Sequence, residues 1–320
     1  MKPSPEALER YELRPAAAGR LPLDWTAAFG RAAPLAVELG YGSGEYLAWW
    51  AASRPDWNLV GIELPPECTV RASARCAEAG LGNVRLVRGD ARYLLRELFP
   101  TGSLQHVLMQ FPMPWPKGRH AKHRVTRRGL GATLADVLGT GGSFELVTDQ
   151  EWFASQARAL LAEHGTLAVG AVEEGPERPF LTRYERKWRA EGRRTFRLEA
   201  RQEGAPTPAP RHVLDAAMLS LHFDVFPEPE LLHALVGARF AGGGLVGEVK
   251  EVFAGSDGWL LKVLSADENF SQVFFLRLLR RARGGALLRV EDGPRPYYTP
   301  AVSFLIAQVG AALRAEAAAG

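Results

Sequence analysis

The sequence predicts an open α/β fold, a parallel sheet with helices on both faces, followed by a smaller α+β domain. Short apolar strands alternate with amphipathic helices in the front part of the chain, and a glycine-rich turn follows the first clear strand. A proline-rich segment, Glu203–Arg211, resists both helix and central strand. At 320 residues the chain also exceeds the usual size of one hydrophobic core. We therefore expect two domains, residues 1–204 and 205–320.

Each element of the first domain follows from its apolar pattern, because buried parallel strands are short apolar runs and surface helices carry a spaced apolar face. Strands are predicted at Leu35–Leu39, Asn58–Glu63, Asn83–Val87, Leu104–Gln110 and Ser143–Thr148. Helices are predicted at Glu45–Ser53, Pro65–Ala79, Ala91–Phe99, Arg127–Leu138 and Glu151–Glu163, with a basic helix at Arg186–Arg194. Gly139–Gly142 is predicted to be a connection between helix and strand.

The second domain contains strand-like runs and ends in an apolar helix. The runs are Leu245–Phe253, Trp259–Leu264 and Gln272–Leu279, and the helix is Ala301–Ala318. This pattern predicts a small α+β domain, and its sequence indicates no function.

Composition excludes several classes of protein. Hydrophobic residues make up 47% and charged residues 23%, which is typical of a folded globular protein. The chain shows neither a signal-peptide pattern nor an apolar run long enough to span a membrane, so we expect a cytoplasmic protein without a membrane partner. Cys68 and Cys76 cannot by themselves form a disulfide framework or a zinc site, and we expect no metal. The basic excess lies before His212, with 29 Lys and Arg against 24 Asp and Glu.

The glycine-rich turn indicates a cofactor site. Gly40, Gly42 and Gly44 follow the first strand, where the backbone of an open parallel sheet approaches a ligand. A dinucleotide fingerprint requires glycine at position 45, where this chain has glutamate. Glu38 and Glu45 place negative charge around the turn, which repels a pyrophosphate and suits a cationic ligand. S-adenosylmethionine, with its sulfonium and ammonium groups, fits this charge.

Two further carboxylates end neighbouring strands. Glu63 follows Gly44 by nineteen residues, a position from which a carboxylate accepts hydrogen bonds from ribose hydroxyls. Asp90 follows the third strand and is placed to accept from the adenine amino group. The alternative for each acid is a helix cap or a solvated turn. Successive strand ends at Glu38, Glu63 and Asp90 favour the cofactor interpretation.

The stretch Gln110–Lys117 is the most unusual in the chain. Its three prolines at alternate positions predict a stiff loop that holds Trp115 as a stacking platform. The following run, Lys117–Arg128, has six Lys and Arg and two His with no acid, a density suited to phosphates. The alternative is a solvated basic loop. The expected contacts to an RNA backbone are Arg119, Lys122, Arg124 and Arg127.

Polar residues after the fifth strand complete the predicted pocket. Asp149 ends that strand, and Thr182 and Glu185 precede the basic helix. Their spacing of three is that of a capping box, so a helix start is the structural alternative. The functional interpretation places Thr182 and Glu185 in the pocket, with Glu185 accepting from the N1 and exocyclic amino groups of a guanine. The two interpretations are compatible.

Together these motifs resemble the bacterial tRNA (guanine-N7)-methyltransferase family. The matching stretches lie within about residues 34–200 and are Val37–Gly44, Asn83–Ala91, Phe111–Lys117, Thr148–Asp149 and Arg178–Glu185. The resemblance implies a Rossmann-like class I methyltransferase fold, S-adenosylmethionine as donor, and the variable-loop guanine at tRNA position 46 as acceptor. It also implies that Glu38, Glu63 and Asp90 hold the donor. Contacts to the substrate guanosine are implied for Lys117, Asp149, Thr182, Arg183, Tyr184 and Glu185.

The chain departs from the family pattern at two positions. The family usually has aspartate where this chain has Met113, and asparagine where it has Gln110. Guanine N7 is an unprotonated lone pair at neutral pH, so its methylation needs no general base, and orientation can supply the rate. Gln110 and Asp149 are the residues expected to compensate for the missing aspartate as catalytic groups.

Three other functions remain open from the sequence. A nicotinamide-dependent oxidoreductase shares the fold class, but the missing third glycine and the flanking acids weigh against it. An RNA-binding protein that kept the pocket but lost activity is a second alternative, which Met113 leaves open. Methylation of another RNA base or of a small molecule is a third, and the basic run weighs against the small molecule.

Overall fold

The computed structural model describes residues 5–17, 21–117, 119, 124, 126, 129–213, 220–267, 270–292 and 295–315. The chain folds into two compact units. The first comprises Met1–Pro15 and Pro22–Pro210, and the second comprises Ala16–Leu21 and Arg211–Gly320. The division after Pro210 falls in the proline-rich segment, while the domain boundary at residue 205 stays a prediction.

The first unit alternates strands and helices. Its strands are β1 (Glu12–Leu13), β2 (Leu35–Leu39), β3 (Asn58–Glu63), β4 (Val84–Arg88), β5 (Leu104–Gln110), β6 (Leu138–Thr148), β7 (Leu167–Val169), β8 (Glu173–Glu174) and β9 (Phe196–Gln202). Its helices are α1 (Pro5–Tyr11), α2 (Trp25–Phe29), α3 (Glu45–Ser53), α4 (Pro66–Glu78), α5 (Ala91–Leu98), α6 (Leu130–Val137), α7 (Glu151–Ala162) and α8 (Arg183–Ala190).

These strands form one sheet in the order β1-β4-β3-β2-β5-β6-β9-β7, with β8 paired to β9. The six strands β1, β4, β3, β2, β5 and β6 pair in parallel with their neighbours in the sheet. Strand β9 runs antiparallel to β6, β7 and β8. The strand order reverses between β2 and β5. Ligands of open α/β sheets bind beyond the carboxyl ends of the strands at such a reversal. The ends of β2 and β5, at Leu39 and Gln110, therefore mark the site to examine.

The core of the first unit explains why these strands are apolar throughout. Every residue of β2 is buried, as are the first five of β3, because helices cover both faces of the sheet. A cluster that includes Tyr11, Leu47 and Leu86 packs on one part of this sheet. The predicted α/β sheet with helices on both faces is confirmed, and β9 with its neighbours adds an antiparallel part that was not predicted.

Two predicted elements of the first unit differ from the structure by more than one residue. Gly139–Gly142 belongs to β6 and is not a separate connection, since β6 begins at Leu138. A side chain at Gly142 would place its Cβ 2.8 Å from the Gly139 carbonyl oxygen, so this part of the strand requires glycine. The basic helix is α8, which begins at Arg183 because Thr182 caps it there, three residues earlier than predicted. Helix α6 is described from Leu130 onward.

The second unit is an antiparallel sheet with a helix packed on it. Its elements are β10 (Ser220–Phe223), α9 (Pro229–Ala234), β11 (Arg239–Gly242), β12 (Leu245–Ala254), β13 (Gly258–Asp267), β14 (Phe270–Arg280), β15 (Ala286–Val290) and α10 (Pro300–Ala315). The strand order is β10-β15-β14-β13-β12-β11, and α10 packs against β12 and β13. The predicted small α+β domain is confirmed. In the described part of the chain, no helix combines the length and apolarity that crossing a membrane requires.

Candidate functional site

The predicted glycine turn lies between β2 and α3, at the reversal of strand order. Gly40, Gly42 and Gly44 have φ angles of 76°, 54° and 73°, in the left-handed region that favours glycine. At Gly44 a Cβ would also lie 2.7 Å from the Cβ of Ala72 on α4. The turn therefore brings bare backbone to the edge of the sheet, as a cofactor site requires.

Glu63, at the end of β3, is bonded to this turn. Its Oε2 accepts a hydrogen bond from the Gly42 N–H at 3.0 Å, and its Oε1 accepts from the Leu64 N–H at 2.7 Å. Each carboxylate oxygen retains a second lone pair, so ribose hydroxyls remain possible partners. Asp90 instead caps α5 and forms a two-pronged pair with Arg92, which is the structural alternative for this acid. Its contact with adenine stays a prediction.

Glu38 and Gln110 meet at the ends of β2 and β5. Glu38 is only 2% exposed, and its Oε1 accepts from the Gln110 Nε2 at 3.0 Å. Its other oxygen, Oε2, is buried and has no hydrogen-bond partner among the described residues. The Gln110 Oε1 in turn accepts from the guanidinium of Arg178. Gln110 thus uses both ends of its amide inside the protein, and its proposed contact with the reacting atoms stays a prediction.

Arg178 joins the predicted residues into one network, although the sequence showed it only as part of a motif. Its side chain is 1% exposed, and its Nε donates to the Glu185 Oε1 at 3.2 Å. One terminal nitrogen donates to the Glu145 Oε1 at 2.9 Å, and the guanidinium lies 5.3 Å from the ring centre of Tyr46. A buried guanidinium requires such partners, so Arg178 holds elements that are distant in sequence.

Thr182 and Glu185 form the capping box that starts α8. The Glu185 Oε2 accepts from the Thr182 N–H at 3.0 Å, and the Thr182 hydroxyl accepts from the Glu185 N–H at 3.3 Å. Glu185 is 0% exposed, and each of its carboxylate oxygens accepts a hydrogen bond from within the protein. The Arg183 N–H donates to the Glu45 Oε2 at 2.8 Å, while Tyr184 is exposed. The contacts of these residues with a guanine stay predictions.

The proline loop after β5 contains strained backbone and is held by one arginine. Phe111 and Trp115 both have a φ of 47°, which is unusual for bulky side chains. Arg124 donates from Nε to the Trp115 carbonyl at 3.1 Å and to the Pro114 carbonyl at 3.2 Å. Met113 is 66% exposed on this loop. Arg124 therefore supports the bend of this loop, and the stiffness expected from its prolines stays a prediction.

The basic run after this loop is only partly described. Lys117 and Arg119 are exposed, whereas Arg124 is half-buried and donates to loop carbonyls. Lys122 and Arg127 lie outside the described residues. The predicted backbone contacts of all four arginines and lysines with RNA stay predictions, and Arg124 has a structural role in addition.

Asp149 directly follows β6, the strand that pairs with β5 in the sheet. It faces an open cleft of about 650 Å³, which is also lined by Trp152, Ser155, Arg193, Arg194 and Phe196. The Arg193 guanidinium lies 3.6 Å from the Asp149 carboxylate. The cleft has a second carboxylate, Glu151, and its aromatic and cationic side chains suit a nucleotide base with its phosphate.

The electrostatics of the buried network are unusual. Burial raises the pKa of Glu38 to about 8, against the opposing effects of the Gln110 hydrogen bond and the Arg178 charge. Burial also raises the pKa of Glu145, although Arg178 lowers it in part. A buried carboxyl with a free oxygen is the expected partner of a cation. The glycine turn, Glu63 and the free Glu38 oxygen therefore fit S-adenosylmethionine, whose ammonium and ribose need these groups.

Comparison with known proteins covers both units. A sequence profile described as "Putative methyltransferase" matches residues 32–198. The chain is 38% identical to "tRNA (guanine-N(7)-)-methyltransferase" of Thermotoga maritima over 96% of this chain and 97% of that one. It is 34% identical to the protein of that name from Thermus thermophilus, over 84% and 86% of the two chains. A solved antibiotic-resistance methyltransferase, Kmr, is 19% identical over 57% of this chain, with a TM-score of 0.43.

Proposed function

The chain belongs to the family of tRNA (guanine-N(7)-)-methyltransferases, and from that premise we propose its reaction. It transfers the methyl group of S-adenosylmethionine to N7 of the variable-loop guanine, position 46, of tRNA. The observation that carries the proposal is the alignment with the Thermotoga maritima relative, which extends over 96% of this chain. Because bacterial tRNA is cytoplasmic, we place the protein in the cytoplasm.

The donor site we propose consists of the glycine turn, Glu38 and Glu63. The turn leaves room for the donor next to the backbone, and Glu63 accepts from its ribose. Glu38 pairs with the ammonium, because its free Oε2 is buried and otherwise uncompensated. When bound, S-adenosylmethionine supplies an electrophilic methyl group on a positively charged sulfur.

The protein contributes orientation and exclusion of water in this proposal. Guanine N7 has no proton to lose, so no side chain needs to act as a general base. Asp149 and the cleft beside it position the guanosine, and Gln110 acts indirectly by holding the Glu38 carboxyl. Precise placement of two reactants can supply a large part of a rate enhancement. Loss of the usual aspartate at Met113 should therefore reduce methyl transfer without abolishing it.

Labelled methyl transfer to unmodified tRNA tests the reaction. We expect one methyl group per tRNA, and digestion followed by mass mapping should locate 7-methylguanosine at position 46. Met113→Asp is the informative variant, because it restores the residue usual in the family and we expect a modest change in rate. Absence of transfer by both proteins, with tRNA still bound, would instead support the RNA-binding alternative. Label on another base would refute the assignment of N7.

Thermal-shift measurements test the cofactor separately. We expect S-adenosylhomocysteine to raise the melting temperature, since a ligand that binds only the folded state stabilises it. NAD should have no effect, because Glu45 stands where the dinucleotide fingerprint needs glycine. Stabilisation by NAD alone would favour the oxidoreductase alternative.

A further inference from the structure

The buried network contains more carboxyl groups than cations. Arg178 is the cation, and it pairs directly with Glu185 and Glu145. Glu38 is a second fully buried carboxyl, joined to Arg178 only through the amide of Gln110, whereas the Glu145 side chain is 19% exposed. With Glu38 and Glu185 both ionised and both buried, the single guanidinium would leave an excess of negative charge away from water, which is unfavourable.

The hydrogen bonds show which carboxyl lacks compensation. Both oxygens of Glu185 accept internal hydrogen bonds, and Glu145 accepts directly from Arg178. Glu38 accepts a single bond from a neutral amide, and its Oε2 has no partner among the residues described. The uncompensated group is therefore Glu38, which lies beside the glycine turn.

Among the described residues, no cationic side chain is hydrogen-bonded to the Glu38 carboxyl. Charged or titratable side chains face Glu38 from each element packed around it. They are Glu63 at the end of β3, Tyr46 on α3, Arg178 before α8 and Glu185 on α8. Both acids in this set disfavour an ionised Glu38, and only Arg178 opposes them.

We propose that Glu38 carries a proton in the donor-free protein and releases it when the ammonium of the donor binds at its Oε2. The inference rests on the proposed function, because it requires a donor that carries an ammonium. The O–H bond of the carboxyl breaks, its electron pair stays on oxygen, and the proton passes to the buffer. No covalent bond forms between donor and protein. One positive charge replaces another, so the network keeps its balance in both states.

The pKa of Glu38, raised by burial to about 8, gives the direction of the pH dependence. Below that value the free protein holds the proton, and binding must release it. The affinity for the donor should therefore rise about tenfold per pH unit as pH increases toward about 7.5. A free α-amino group remains an ammonium below a pKa of about 7.7–8, so the ligand itself contributes little to this slope.

Isothermal titration calorimetry with S-adenosylhomocysteine tests the exchange, since this product keeps the ammonium. Titrations of the full chain at about pH 6.5 in two buffers of different ionisation enthalpy measure the protons released. We expect close to one proton for the unaltered protein and none for Glu38→Gln, whose affinity should be weaker and independent of pH. Glu63→Gln is the matched control, and it should bind more weakly while still releasing close to one proton.

The outcomes separate this inference from the proposed function. Binding of S-adenosylhomocysteine without proton release at about pH 6.5 would overturn the proton exchange and leave the methyltransferase assignment standing. Release of one proton by Glu38→Gln would also overturn it, because another group would then be the source. Failure of S-adenosylhomocysteine to bind in either buffer would overturn the donor and the exchange together. A pH series on the unaltered protein provides the same test if Glu38→Gln does not fold.

Discussion

Replacing Arg178 by methionine tests whether the buried network holds the first unit together. Methionine keeps much of the side-chain volume but removes the charge and all five N–H donors. Glu185 and Glu145 would lose their hydrogen bonds at 3.2 and 2.9 Å, and Gln110 would lose its donor. The substitution therefore leaves acceptors buried that the native protein satisfies.

The burial of the pair determines the magnitude. The Arg178 side chain is 1% exposed and that of Glu185 is 0% exposed, so solvent screens their interaction little. Breaking a buried pair by removing one partner costs about 3–5 kcal/mol, because the other charge stays buried. Arg197→Met is the matched control, since Arg197 is partly exposed and pairs with exposed Glu173. Such surface pairs contribute about 0–1 kcal/mol.

Urea unfolding followed by tryptophan fluorescence measures the free energy of unfolding. Seven of the eight tryptophans precede residue 200, so the signal reports mainly on the first unit. We expect Arg178→Met to lose about 3–5 kcal/mol and Arg197→Met less than about 1 kcal/mol. Adding Glu185→Gln to Arg178→Met should recover part of the loss, because it removes one stranded carboxylate.

Equal effects of Arg178→Met and Arg197→Met would refute the reasoning. Such a result would mean that water or another cation compensates the buried carboxylates. Strict additivity of Arg178→Met and Glu185→Gln would also contradict it, since partners in one network should show coupling of about 0.5–3 kcal/mol.

Three further predictions concern the donor, the guanosine and the RNA backbone. Gly44→Ala should weaken binding of S-adenosylhomocysteine in a titration, because its Cβ would lie 2.7 Å from that of Ala72 at a φ of 73°; unchanged affinity would contradict the glycine requirement. Asp149→Ala should remove most methyl transfer in single-turnover assays while S-adenosylhomocysteine still binds, and full activity would exclude Asp149 from the pocket. Arg119→Ala should make the logarithmic salt dependence of tRNA affinity shallower by about one, and adding Lys122→Ala should make it shallower by about two; an unchanged slope would favour the alternative of a solvated basic loop.

The sequence predicts the sheet well because its strands are buried on both faces. Three strands have the same bounds in the prediction and in the structure: Leu35–Leu39, Asn58–Glu63 and Leu104–Gln110. A short apolar run between turn residues is typical of a buried strand, so its ends are easy to recognise. β6 was harder to predict. Its first residues contain Gly139 and Gly142, which indicate a turn by composition, whereas close packing against the Gly102 and Leu104 carbonyls explains them.

The site was predicted less completely because burial is a tertiary property. Arg178 lies in a loop between Glu177 and Pro179, and an arginine in a loop is expected to be solvated. Its acceptors come from β5, β6 and α8, and no local spacing shows that these elements converge on it. Glu185 shows the opposite case. Its spacing from Thr182 predicts the capping box correctly, but not its complete burial.

Arg124 donates hydrogen bonds to the Pro114 and Trp115 carbonyls, which follow Met113 directly in the chain. Main-chain atoms anchor the bend, and the side chain between the two prolines takes no part in that anchoring, since Met113 is largely exposed. That residue can consequently be exchanged during evolution without refolding its surroundings. Replacing Met113 by aspartate should therefore leave the shape of the loop unchanged, so an effect of that change on methyl transfer would come from the side chain itself.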